Sequence, residues 1–256
     1  MFVVDDYLVR LAGEVLPHDV SLPKVLSWDA AGSQFGVPDI RTVYAALLND
    51  RKAVAAMDAT FHAAPYHRPP VSPILYIKPR NTLVAHGARI AVPAGATSVQ
   101  VGASIGIVLG RVAARVEPAR ALDYVAGFAL VADLAVPHDS FFRLPACDVL
   151  FDGSCVIGPA VVANCHVPDP DAIAVEVSVG AHMVFSASTA TSARSVARLL
   201  ADVTEFMTLA PGDVLTMGVP WNAPVVHPGD AVTIEVQGWP PLRFQLAAAS
   251  AGEALR

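Results

Sequence analysis

The segment VQVGASIGIVLGR, Val99 to Arg111, is the feature that most restricts what this chain can fold into. It is apolar and carries Gly102, Gly106 and Gly110 at four-residue spacing, a pattern that can pack membrane helices. Its uncharged run is only about a dozen residues, against the ~20 that a bilayer demands. The β-branched residues Val99, Val101, Ile105, Ile107 and Val108 favour a strand instead. Glycine within a strand marks a close approach of another group to the backbone, or a side chain that has been lost. No other stretch nears the roughly 18 consecutive apolar residues of a membrane helix. The 54% hydrophobic content is therefore assigned to a buried core or a subunit interface, and no membrane association is expected.

Charge narrows the function classes. The formal net charge is -6 and no Lys/Arg cluster is present, so nothing offers a basic field to a nucleic-acid backbone and no nucleic-acid partner is expected. Cys147, Cys155 and Cys165 are odd in number and lack CxxC spacing, which argues against a disulfide framework and a structural zinc site. Asp5 and Asp6 stand where a secretory signal would carry positive charge. These features together point to a cytoplasmic, oligomeric protein.

Residues 1–41 mix weak helical periodicity with Pro17, Pro23 and Pro38 and read as an N-terminal extension; residues 42–250 read as the main domain. Within it TVYAALLN reads as a strand, DRKAVAAMDATF as a helix, HAAPYHRPPVSP as a proline-rich loop, and ILYI as the next strand. EPARALDYVAG reads as a short helix with Pro118 in its first turn, where the missing N–H costs least. In SARSVARLLADVTEFM, the residues Val196, Leu199, Leu200, Val203, Phe206 and Met207 recur at helical spacing and define one buried face. Two Pro-Gly-Asp turns, at 211–213 and 228–230, each precede a strand. Many strands, few helices and no regular βαβ alternation define an α+β, predominantly β class.

Several segments, in order, carry a family resemblance: YIKPRNT (76–82), the strand ending IVLGR, YVAGFALVAD (124–133), DGSCVIGP (152–159), VTEFMTLAPGD (203–213), MGVP (217–220) and HPGDAVTIEVQG (227–238). Together they resemble the fumarylacetoacetate hydrolase family over roughly Thr42 to Leu246. IKPRNT, GASIGIVLGR and SFFRLPACDVLFDGSCVIG are similar to its isomerase/decarboxylase branch, specifically to the first half or separate first subunit. The resemblance implies a mixed β-sheet/β-roll fold with a few peripheral helices. It also implies action on unsaturated oxo-dicarboxylic or oxo-tricarboxylic acids in 4-hydroxyphenylacetate/homoprotocatechuate degradation. A non-catalytic subunit that completes the oligomer of an active paralogue is the alternative; the implied assembly is a homodimer, or a hetero-oligomer with a metal-competent paralogue.

Active members of this family hold Mg²⁺ or Mn²⁺ through a Glu-x-Glu pair on one strand and an Asp on the next. Alternate strand positions face the same way, and a hard divalent ion requires such oxygen donors. The ion stabilises the enolate formed from an oxo-acid substrate. By resemblance, Gly102 and Ser104 occupy the Glu positions and Asp133 the third. One carboxylate and a hydroxyl supply a charge of about -1 in place of -3, so the expected metal is weak or absent. The alternative for Asp133 is an acid satisfied by backbone N–H groups. The family's lysine falls near Cys147 or Val149, its Gly-Thr-Pro reads Gly218-Val219-Pro220, and its lid His and Glu fall on Ala53 and Ala56, which cannot move protons. Lys78, Arg80, Arg143 and Asp152 are candidate substrate-binding residues, with structural ion pairs as the alternative. His67, His86 and His138 lack metal-ligand spacing, and no activating partner identifies Cys147 as a nucleophile.

Overall fold

A computed structural model describes residues 40–138 and 144–248. Residues 1–39 of the N-terminal extension, and Arg143, lie outside the described residues. The elements in chain order are β1 (Val43–Leu47), α1 (Arg51–Ala56), α2 (Asp58–Phe61), β2 (Ile74–Lys78), β3 (Leu83–Ala85), β4 (Arg89–Ala91), β5 (Val99–Leu109), β6 (Val125–Ala135) and α3 (Ala146–Val149). They continue with β7 (Cys155–Ala163), β8 (Ala174–Val179), β9 (His182–Ser188), α4 (Val196–Thr204), β10 (Val214–Thr216), β11 (Val225–Val226), β12 (Ala231–Glu235) and β13 (Leu242–Ala247). The chain is mostly β with small peripheral helices.

The larger sheet runs β2-β1-β10-β5-β6-β7-β3, with β11 beside β5, and the smaller runs β4-β13-β12-β8-β9. Both are mixed: β1 runs parallel to β10, β3 to β7 and β13 to β4. Its central strand β5 is buried on both faces, as its near-continuous apolar run requires. Val101, Ile105, Ile107 and Leu109 join Phe128 and Leu130 in a core shared with Val177, Ile234 and Leu242 of the smaller sheet. Val108 on the other face packs with Ala129, Val131, Cys155 and Val214.

The larger sheet is strongly curled. Strand β2 lies four places from β6 in sheet order, a spacing of about 19 Å in a flat sheet with ~4.8 Å between strands. Lys78 at the end of β2 nevertheless lies 2.6 Å from Asp133 on β6, which requires the sheet to roll over on itself. Glycine permits tight contact inside that roll. A Cβ on Gly106 would stand 2.7 Å from Val214 Cγ1 and 2.9 Å from Val131 Cγ2.

Helical segments are shorter than the sequence pattern implies. DRKAVAAMDATF divides at Met57 into α1 and α2, and Pro118–Tyr124 forms a 3-10 turn. In α4 Val196, Leu199, Leu200 and Val203 are buried as expected, with Ser195 capping the Arg198 N–H. The helix stops at Thr204, so Phe206 is 61% exposed instead of belonging to the buried face. The Thr204 carbonyl accepts the Arg115 N–H and its hydroxyl accepts the Val116 N–H, so the 115–116 segment occupies groups that further helix would use.

Candidate functional site

The paired centre of the large sheet brings the three sequence-selected positions onto one face. Gly102 is the direct cross-strand partner of Asp133, and Ser104 follows two residues along β5 opposite Val131. Gly102 has no room for a larger side chain: a Cβ there would lie 2.5 Å from Val219 Cγ2 and 2.8 Å from the Asp133 carbonyl. Val219, which stands where the family motif carries threonine, covers Gly102. Ser104 is 3% exposed and its Oγ is buried without a hydrogen-bond partner.

Both oxygens of Asp133 are occupied by the protein. Oδ1 pairs with Lys78 Nζ at 2.6 Å, and Oδ2 accepts the Tyr76 hydroxyl. Tyr76 and Lys78 alternate on β2 and so face the same way into the roll. The Lys78 ammonium also donates to the Val149 carbonyl at 2.6 Å and approaches the Ser154 and Leu134 carbonyls at 3.3 and 3.4 Å. Burial, reinforced by the Asp133 charge, holds the Tyr76 hydroxyl well above its ordinary pKa. Burial likewise pushes the Cys155 thiol up to about 12, against the opposing influence of Lys78.

These residues do not fit a divalent cation. Val219 fills the space at Gly102, Ser104 brings no charge, and Asp133 is neutralised by Lys78. Among the described residues no group of three or more His, Cys, Asp and Glu converges.

A small pocket of about 20 Å³, room for about one water and partly open to solvent, lies beside Ser104. Asn49, Asp50, Ser188, Thr191 and Gly218 contribute to its lining. Leu48 takes a left-handed conformation (φ 57°) immediately before Asn49 and Asp50. Asn49 Nδ2 donates to the Met217 carbonyl at 3.0 Å, while its Oδ1 accepts the Arg194 N–H. Asp50 accepts the Lys52 and Ala53 N–H groups at the start of α1, and its other oxygen accepts the Thr191 hydroxyl at 2.6 Å. Of the two lid positions, Ala53 is buried in a small cluster with Leu48 and Phe61, and Ala56 is exposed.

Arg80 is exposed in the 3-10 turn after β2, and exposed Asp152 accepts the Asn81 amide at 2.7 Å. Cys147 and Cys165 are exposed. Sequence reasoning missed Tyr76, Ser154 and Thr191; only Tyr76 carried a signal, its alternation with Lys78.

A curled mixed sheet that sets Asp133 of central strand β6 against Lys78 of edge strand β2 on its inner face defines a mixed β-roll. The chain belongs to the fumarylacetoacetate hydrolase family: residues 42–247 match the family described as fumarylacetoacetate (FAA) hydrolase C-terminal. It is 34% identical over 207 residues to the 4-hydroxyphenylacetate degradation bifunctional isomerase/decarboxylase of Salmonella dublin, covering 81% of this chain and 47% of that protein. The chain thus spans about half the length of the curated relatives it matches. The structure of 5-carboxymethyl-2-hydroxymuconate delta-isomerase from Mycobacterium smegmatis superposes with a TM-score of 0.66 at 25% identity, covering 82% of this chain and 77% of that one. Maleylpyruvate hydrolase from Sphingobium sp. SYK-6, in complex with manganese (II) ion and pyruvate, shares the fold with a TM-score of 0.67 at 20% identity, covering 83% and 72% of the two chains. Among the described residues no helix is long and apolar enough to cross a membrane.

Proposed function

We propose that this chain is a cytoplasmic subunit of an isomerase/decarboxylase that acts on unsaturated oxo-dicarboxylic or oxo-tricarboxylic acids in 4-hydroxyphenylacetate/homoprotocatechuate degradation, with its own metal site impaired. The match over 81% of the chain to one half of a bifunctional isomerase/decarboxylase carries the pathway assignment. The second reading, a non-catalytic subunit completing the oligomer of a metal-competent paralogue, is favoured by a separate observation. Val219 packs where a Gly102 side chain would stand, and Lys78 and Tyr76 take both oxygens of Asp133. In a metal-loaded relative the ion supplies the positive charge that stabilises an enolate. Here Lys78 is enclosed with Asp133, and Ala53 and Ala56 provide no proton-transfer group.

Isomerase and decarboxylase turnover, followed with Mg²⁺ for the purified chain alone and mixed with a metal-competent homologue, tests both readings. The expected result is no metal-dependent turnover alone, together with co-assembly or a raised rate in the mixture. Metal-dependent turnover by the chain alone would overturn the non-catalytic reading. Neither turnover nor any effect on the homologue would overturn both.

A further inference from the structure

Lys78 is the least exposed charged residue among those described, at 1%. Five oxygens surround its Nζ: Asp133 Oδ1 and the Val149 carbonyl at 2.6 Å, the Ser154 carbonyl at 3.3 Å, the Leu134 carbonyl at 3.4 Å and Ser154 Oγ at 3.5 Å. They come from β6, from α3 and from the turn entering β7, three segments already held in place by the fold. An ammonium has three N–H groups to donate. Two are enough for the shortest contacts, which leaves one for the three longer oxygens.

The local charge sums to zero. The Lys78 ammonium and the Asp133 carboxylate form an ion pair, and the Tyr76 hydroxyl that donates to Asp133 Oδ2 adds no formal charge. A divalent ion arriving beside this pair would either displace Lys78 or leave two positive charges uncompensated in the interior, a costly state. Gly102 and Ser104 bring no carboxylate to offset them.

We propose that these five oxygens form a self-neutralised cation site, selective for a primary ammonium, which the chain's own lysine fills. The proposal rests on the reading of Gly102 and Ser104 as metal-poor positions and goes beyond it by naming the cation the cradle recognises. Its consequence is that a free primary alkylammonium enters once the lysine side chain is cut away.

Lys78→Ala removes the atoms from Cγ to Nζ, which n-propylammonium replaces in size and charge. Thermal unfolding of the full chain reads the result. Lys78→Ala is expected to melt roughly 6–20 °C below the parent, the range set by an uncompensated buried charge in a chain of this length. Added n-propylammonium restores a large part of that loss, whereas tetramethylammonium, which has no N–H, and Mn²⁺ do not. The parent protein shifts with none of them and gives no bound-Mn²⁺ signal by electron paramagnetic resonance. These readouts involve neither substrate nor homologue, so they stand or fall separately from the turnover and co-assembly test. Stoichiometric Mn²⁺ binding by the parent, no rescue of a folded Lys78→Ala protein by n-propylammonium, equal rescue by tetramethylammonium, or Lys78→Met melting within about 2 °C of the parent would each overturn the proposal, since ~2 °C is about the smallest shift a kcal/mol gives at this size. Where the single variants do not fold, the Lys78→Met/Asp133→Asn double variant decides. Its recovery as a folded protein supports a self-neutralised pair, and its failure to fold overturns it.

Discussion

Gly102→Ala isolates the contact on which the metal-poor reading depends. Gly102 lies in a regular strand, so alanine there would ordinarily stabilise by ~0.5–1 kcal/mol through backbone entropy. The added methyl instead meets Val219 Cγ2 at 2.5 Å and the Asp133 carbonyl at 2.8 Å, both inside normal contact. Overpacking of this kind costs roughly 1–3 kcal/mol. The net expectation is a loss of about 1–2 kcal/mol for a substitution that adds only one carbon. Val219→Ala removes two half-buried methyl groups and costs about 0.8 kcal/mol by itself, half the value for full burial. Combining the two opens the side-chain part of the clash, while the Asp133 carbonyl remains close. The double variant is therefore less destabilised than the sum of the singles, by a coupling of about 1 kcal/mol or more. Urea denaturation at equilibrium, with m-values compared across the four proteins, measures all three differences. Losses that add to within about 0.3–0.5 kcal/mol, or a Gly102→Ala protein as stable as the parent, would show that Val219 does not fill this space.

Two further outcomes follow from burial and capping. In native protein Cys147 and Cys165 react with a thiol reagent and Cys155 reacts only on unfolding, because Cys155 is buried and its thiol is held at about 12. Cys155 has a folded pKa above its ordinary 9.0, so its contribution is complete below pH 9 and is lost as pH rises toward 12; with a gap of three pKa units the loss is about 4 kcal/mol by pH 12, and Cys155→Ala flattens that part of the alkaline denaturation curve. Asp50→Ala removes the cap on Lys52 and Ala53 together with the Thr191 bond; an expected loss of about 1–2 kcal/mol by urea denaturation, with faster amide exchange over α1, checks it.

The legible parts of the fold were the local ones. β5 declared itself through β-branched density and a length too short for a membrane, and the alternation of Tyr76 and Lys78 held a signal of a common face that the sequence reading did not use. What they face was not legible, because it depends on the curl that carries β2 across to β6, and no local pattern encodes a contact made four strands away. The same holds for Val219 over Gly102. The motif showed valine in place of threonine at 219, while only the tertiary structure shows what that side chain covers. Phe206 fails for a related reason: periodicity marks the apolar face of a helix, but the docking of residues 115–116 on Thr204 decides where the helix ends.

Charge accounting extends the division of labour beyond the metal. A dicarboxylic substrate brings about two negative charges that must meet cations or strong donors when they leave water. The pocket beside Ser104 has Asp50 as its charged lining residue and no lysine or arginine in its lining. Nearby Arg51 directs its guanidinium to the carbonyls of Ala190 and Ser192, and Arg194 pairs with Asp202 and the Val71 carbonyl. Lys78, on the inner face, already balances Asp133. Among the described residues, a carboxylate approaching this pocket would therefore meet hydroxyls and the Asp50 carboxylate, an arrangement that opposes it. A cation for the second carboxylate then comes from Arg143, which lies outside the described residues, or from another chain, and the mixture with a metal-competent homologue distinguishes the two.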